Sequence, residues 1–142
     1  MGVLSDLVVA TDGDVGKLLE AVVPSQSFEG TDLKGIDTLK FATLQALLTG
    51  HPFEELLPSY RPVATASEEG PWIIKLPSNF VTHLARLTPE ERRSVSAKWA
   101  RTEEFLADRW GPADVDKALE RICNFAKKAD TSNRSLFLWM SL

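Results

Sequence analysis

Between Ala113 and Ala129 the apolar residues Val115, Ala118, Leu119, Ile122, Phe125, Ala126 and Ala129 recur at helical spacing, and Asp116, Lys117, Glu120, Arg121, Asn124 and Lys128 take the opposite side. A helix with one apolar stripe must lay it on another layer of structure. The polar turn from Asp130 to Arg134 is followed by Leu136-Phe137-Leu138-Trp139-Met140, too short and too apolar for another helix. That run reads as a buried strand. Leu7-Val8-Val9-Ala10, short and β-branched, ends in the turn residues Thr11-Asp12-Gly13-Asp14 and supplies a second strand to pair with it.

The remaining segments read as helices and one hairpin. Asp14 or Thr11 caps a helix through Val15, Leu18, Leu19 and Val22, which Pro24 stops; residues 24–35 have loop composition. Asp37 caps a helix that runs to Thr49, with Gly50 and Pro52 as its stop. Its apolar residues, among them Leu39, Phe41, Leu44, Leu47 and Leu48, surround nearly the whole circumference, which predicts a helix at the centre of the domain. Phe53 to Leu57 forms a turn of helix. Val63 to Ala66 and Trp72 to Leu76 flank a wide loop and read as a hairpin bracketed by Pro62 and Pro77. Ser78 caps a helix to Leu87, and Thr88-Pro89-Glu90-Glu91 is a capping box opening a helix to about Arg109. The expectation is one globular domain over residues 1–142, α+β and mostly helical. Four to five helices surround a central buried helix, with a small sheet from the terminal strands and a central hairpin.

The order of these features resembles the YfbM-like bacterial proteins. The shared points are an N-terminal strand and helix, Ile36-Asp37 leading through Phe41 and Leu44 to Leu48-Thr49-Gly50, two further helices, an amphipathic helix, and an apolar C-terminal strand after a polar turn. The resemblance implies an α+β fold and no catalytic residue.

Charge and composition narrow the function classes. Sixteen basic and twenty acidic residues give a net charge of −4, and the densest basic clusters, Arg92-Arg93 and Lys127-Lys128, are too short to form a stripe for phosphate backbones. Nucleic acid is therefore not expected as a partner. Cys123 is the only cysteine, which fits a reducing, cytoplasmic setting. The start Met1-Gly2-Val3-Leu4-Ser5-Asp6 lacks a basic region and a long apolar core, and Asp6 stands where a myristoylation start wants Ser or Thr. No run approaches the ~20 apolar residues of a membrane span.

Tested for chemistry, the motifs give little. Gly13 and Gly16 are too close for a phosphate loop, and Leu18 follows Lys17 where that loop needs a hydroxyl; the same turn lacks the glycine and glutamate of a calcium loop. His51, His83 and Cys123 fall at no metal-ligand spacing, so neither metal nor cofactor is expected. On an unbroken helix, Trp99, Glu103, Leu106 and Trp110 share one side and place Glu103 between two indoles, where burial would raise its pKa as a catalytic acid requires. Glu103, His83 and His51 are thus the candidate catalytic groups, and Trp72, Trp99 and Trp110 the candidate binding groups. Trp72, just past Gly70-Pro71, is the tryptophan expected at a surface. The sequence points first to a protein-interaction module without catalytic activity, its partner another protein or a second copy as a homodimer. The alternatives are a small-ligand binder or hydrolase-like enzyme built around Glu103, and a structural subunit of a homo-oligomer.

Overall fold

A computed structural model describes residues 3–142, so the myristoylation comparison at Met1-Gly2 falls outside the described residues. The two terminal apolar runs become the long middle strands of an antiparallel sheet. β1 (Leu4–Ala10) and β5 (Ser135–Ser141) pair over their full length, from Leu4 opposite Ser141 to Ala10 opposite Ser135. β2 (Glu29–Asp32) extends the sheet beyond β1, and the hairpin of β3 (Ala64–Thr65) and β4 (Trp72–Lys75) joins at β5, giving the order β2-β1-β5-β4-β3. Alternate residues face opposite sides. Leu7, Val9, Ile74, Leu136 and Leu138 enter the main core. Val8, Ala10, Ile73, Phe137 and Trp139 enter a smaller core with Leu18. Both faces of the middle strands are covered, which is why they read as continuous apolar runs rather than alternating ones.

Residues 24–35 are not all loop. Pro24 opens the short helix α2 (Pro24–Ser27), and the Asp6 carboxylate accepts a hydrogen bond from the Ser25 N–H at 2.9 Å. β2 follows despite its turn-like composition, because Gly30 lies opposite Val8 and a Cβ there would come 2.4 Å from the Leu7 carbonyl oxygen. Only glycine permits that approach. The first helix, α1 (Val15–Glu20), ends before Val22, which is 86% exposed.

The helix from Asp37 has the expected ends. In α3 (Thr38–Thr49) the Asp37 carboxylate accepts from the Lys40 N–H at 3.0 Å, and Gly50 closes the helix at φ 76°. It is not the centre of the molecule. Phe41, Ala42 and Leu44 are buried, but Leu39 and Leu47 are 41% and 37% exposed. The buried side instead takes two polar residues with partners of their own: Lys40, and Gln45, whose Oε1 accepts from the Tyr60 hydroxyl at 2.7 Å. The central helix is the amphipathic one. α8 (Pro112–Thr131) packs against α5 (Ser78–Arg86), α6 (Pro89–Ala100), β1 and β5. With α4 (Phe53–Leu56) and α7 (Glu103–Ala107), the described residues form eight α-helices rather than four or five. The fold is α+β and mostly helical.

The capping box opens α6 as its spacing predicts: the Glu91 N–H donates to Thr88 Oγ1 at 3.1 Å, and the Thr88 N–H to the Glu91 carboxylate at 3.0 Å. The helix does not reach Arg109. Thr102 adopts extended backbone with ψ 154°, and its hydroxyl donates to the Trp99 carbonyl oxygen at 2.6 Å. A threonine that satisfies the end of one helix and stands at the N-cap of the next, ahead of two glutamates, separates α6 from α7.

Candidate functional site

The break at Thr102 decides what lies between the indoles. Phe105, fully buried, meets Trp99 edge-on at 4.8 Å between ring centroids and Trp110 at 5.2 Å. Glu103 is exposed in the first turn of α7, and Leu106 is 61% exposed. The carboxylate between two tryptophans is therefore not formed, because the expected helical register is lost at the break. Trp99 is fully buried, and its indole N–H donates to the Lys40 carbonyl oxygen at 2.9 Å, which makes it a strut between α6 and α3. Trp72 is half-buried on β4, where Gly70 packs beneath its ring. His51, after α3, and His83, on α5, are exposed and line none of the principal surface depressions.

Of the tryptophans named from the sequence, Trp110 is the one at a concave surface. A depression of about 640 Å³ is lined by Lys34, Asp108, Arg109, Trp110, Asp114, Lys117 and Arg121. A neighbouring one of about 440 Å³ shares Lys34, Asp108 and Trp110, so the two form one trough. Three parts of the chain build it. Asp114, Lys117 and Arg121 lie three and four residues apart on the outer face of α8. Asp108, Arg109 and Trp110 form the corner between α7 and α8. Lys34 comes from the turn between β2 and α3, which Ser5 ties to β1: its carbonyl oxygen accepts from the Leu33 N–H at 2.9 Å and its hydroxyl from the Gly35 N–H at 3.0 Å.

The electrostatics of the trough run against those of the chain. A protein of net charge −4 brings four cations against two carboxylates in the larger depression. Lys34, Arg109, Lys117 and Arg121 form no ion pair among the described residues, and the buried Arg121 Nε has no hydrogen-bond partner there. By contrast, members of the basic pairs seen in the sequence are engaged: Arg92 with Asp116 and Glu120 at 3.5 Å, Lys128 with Glu29 at 3.3 Å. Asp108 is held by Lys40, whose ammonium lies 2.5 Å away, buried against the Phe105 ring.

Two of the trough cations sit in strained backbone. Lys34 has φ 52° and Arg109 φ 58°; besides them, the only described non-glycine residue at positive φ is Asn133, a residue type that tolerates this region. Arg109 follows the C-terminus of α7, a position usually given to glycine. An L-residue there costs about 1–2 kcal/mol. The trough was missed by sequence reasoning because Lys34 lies far from the others in the chain, and Arg109, Lys117 and Arg121 are spaced among acidic residues rather than in a run.

Comparison with protein-family models, with curated proteins and with solved structures finds no match to this chain. Among the described residues, no group of three His, Cys, Asp or Glu could hold a metal ion, and no helix is long and apolar enough to cross a membrane.

Proposed function

We propose that this chain is an interaction module that recognises an anionic group of another molecule, and that the trough at the α7–α8 corner is its recognition surface. The observation that carries this reading is the pair of left-handed cations, Lys34 and Arg109, facing one depression. Strained backbone persists where the surrounding structure over-determines it and clusters at binding and catalytic sites. Here the strain coincides with a surplus of unpaired positive charge and a half-buried indole. A bacterial, cytoplasmic, YfbM-like protein is the setting that the layout resemblance and the single cysteine support.

A cation-exchange column at low ionic strength and pH 7 tests the reading. A chain of net charge −4 spread evenly over its surface would pass through, whereas a focused basic trough retards it. Replacing Lys34 and Arg109 with glycine is expected to abolish the retardation while stabilising the fold by about 1 kcal/mol at each site, since glycine carries no Cβ into the left-handed region. An unretarded wild-type chain, or glycine variants that lose stability, would refute it.

A further inference from the structure

We infer that the occupant of the trough is an extended, acidic segment of a partner protein, its carboxylates read by Arg109, Lys117 and Arg121 and an apolar side chain laid on Trp110. This rests on the anion-recognising trough described above and names the kind of anion. Shape is the first argument. The two depressions share a wall and are open to solvent, so they form a channel from the β2–α3 turn across the corner onto α8. A small ligand is typically buried over most of its surface in a closed pocket; an open channel fits a chain segment that enters and leaves.

The charge pattern is the second argument. Asp108 and Asp114 line the same depression as the four cations. A compact dianion such as a phosphate concentrates its charge at one point, where carboxylates in the lining oppose it. A peptide spreads its negative charge one carboxylate at a time, so each can pair with a separate cation. Its backbone N–H groups also give Asp114 and the half-exposed Asp108 something to accept from. The arginine fork matches the planar carboxylate with two parallel hydrogen bonds, and Arg109 and Arg121 both line the depression without an ion pair among the described residues. Trp110, backed by the buried Phe105 and therefore fixed in place, has the amphipathic, rigid character of an interface anchor.

Fluorescence polarisation on the full chain decides between occupants. The probe is a fluorescein-labelled, C-terminally amidated octapeptide of glutamates with a central phenylalanine; the control has glutamine for each glutamate. Glutamate-dependent binding is expected, weakening as salt rises from about 50 mM to about 300 mM. Arg121→Glu is expected to lower affinity at least about tenfold. Lys117→Glu, on the exposed face of α8, should do the same if Arg121→Glu disturbs folding, and Arg121→Lys should recover part of the loss. Pyrophosphate and a phosphoserine peptide are titrated in parallel. If they bind through Arg121 and the glutamate peptide does not, the acidic-segment inference is wrong and the anion-recognising trough stands. If none of the probes binds, both fall. Glutamate-dependent binding untouched by either α8 variant would place the interaction elsewhere and also overturn the inference.

Discussion

Replacing Phe105 with alanine tests the aromatic stack that supports the trough. The ring is fully buried, meets Trp99 and Trp110 edge-on at 4.8 and 5.2 Å, and has the Lys40 ammonium 5.5 Å from its centroid. Truncating a buried Phe costs about 3–5 kcal/mol. Aromatic pairs of this geometry add about 0.5–1.5 kcal/mol each beyond their buried area, which places Phe105→Ala in the upper part of that range. For a chain of this length a loss of about 4 kcal/mol lowers Tm by about 10–15 °C. Urea unfolding followed by tryptophan fluorescence, with thermal melting beside it, gives the value. Glu103→Ala is the necessary companion. Its side chain is exposed, so its effect should stay within about 0.5 kcal/mol. A cost below about 1 kcal/mol for Phe105→Ala, with a larger one for Glu103→Ala, would restore the unbroken helix and its buried carboxylate, and would remove the support assigned to Trp110.

Three further outcomes are expected. Leu44→Ala should cost about 2–5 kcal/mol and Leu47→Ala less than about 1 kcal/mol by chemical denaturation, because α3 buries the first and exposes the second; equal large losses would return α3 to the centre of the fold. Burial pushes the Cys123 thiol up to about 11 from its ordinary value of 9.0. The unfolded chain therefore ionises it first, so the stability it contributes is complete below pH 9 and is lost as pH rises toward 11. Urea midpoints of wild type and Cys123→Ala should converge over that range, and parallel curves would refute the assignment. Hydrogen bonds from Arg134 and Lys128 hold the Glu29 carboxyl below its ordinary value of 4.5. Its contribution is present above that value and is lost as pH falls further, so Glu29→Gln should flatten the acid limb of the stability profile; an unchanged limb would show the three charges to be uncoupled.

Local signals made much of the fold legible. The period of Val115 to Ala129 fixed α8, Asp37 and Gly50 marked both ends of α3, and the Thr88–Glu91 box opened α6, because each depends on residues within a few positions of one another. Apolar runs at the two termini paired as strands because a short buried strand has few other ways to satisfy its backbone. Three features escaped. β2 depends on a contact between Gly30 and Val8, 22 residues earlier on β1, which composition alone presents as a turn. The break at Thr102 needs the hydroxyl to bond Trp99 rather than solvent, and a helical pattern continues straight through it. Leucines on every side of α3 suggested the centre, yet which of them are covered depends on neighbours distant in sequence. For the site, Trp110 was legible and its surroundings were not. Lys34 and Arg109 are ordinary surface cations until tertiary structure gives them left-handed backbone and one shared hollow.

The pairing of β1 with β5 sets an order of events during synthesis. β5 stands between the β1–β2 pair and the β3–β4 hairpin, so a nascent chain that has not released residues 135–141 from the ribosome holds two strand pairs with nothing to join them. The edges of β1 and β4 that pair with β5 stay open until those residues emerge. Such open edges are the surfaces on which chaperones act and by which partly made chains cohere. Loss of the last strand would therefore leave an aggregating remnant rather than a smaller folded protein.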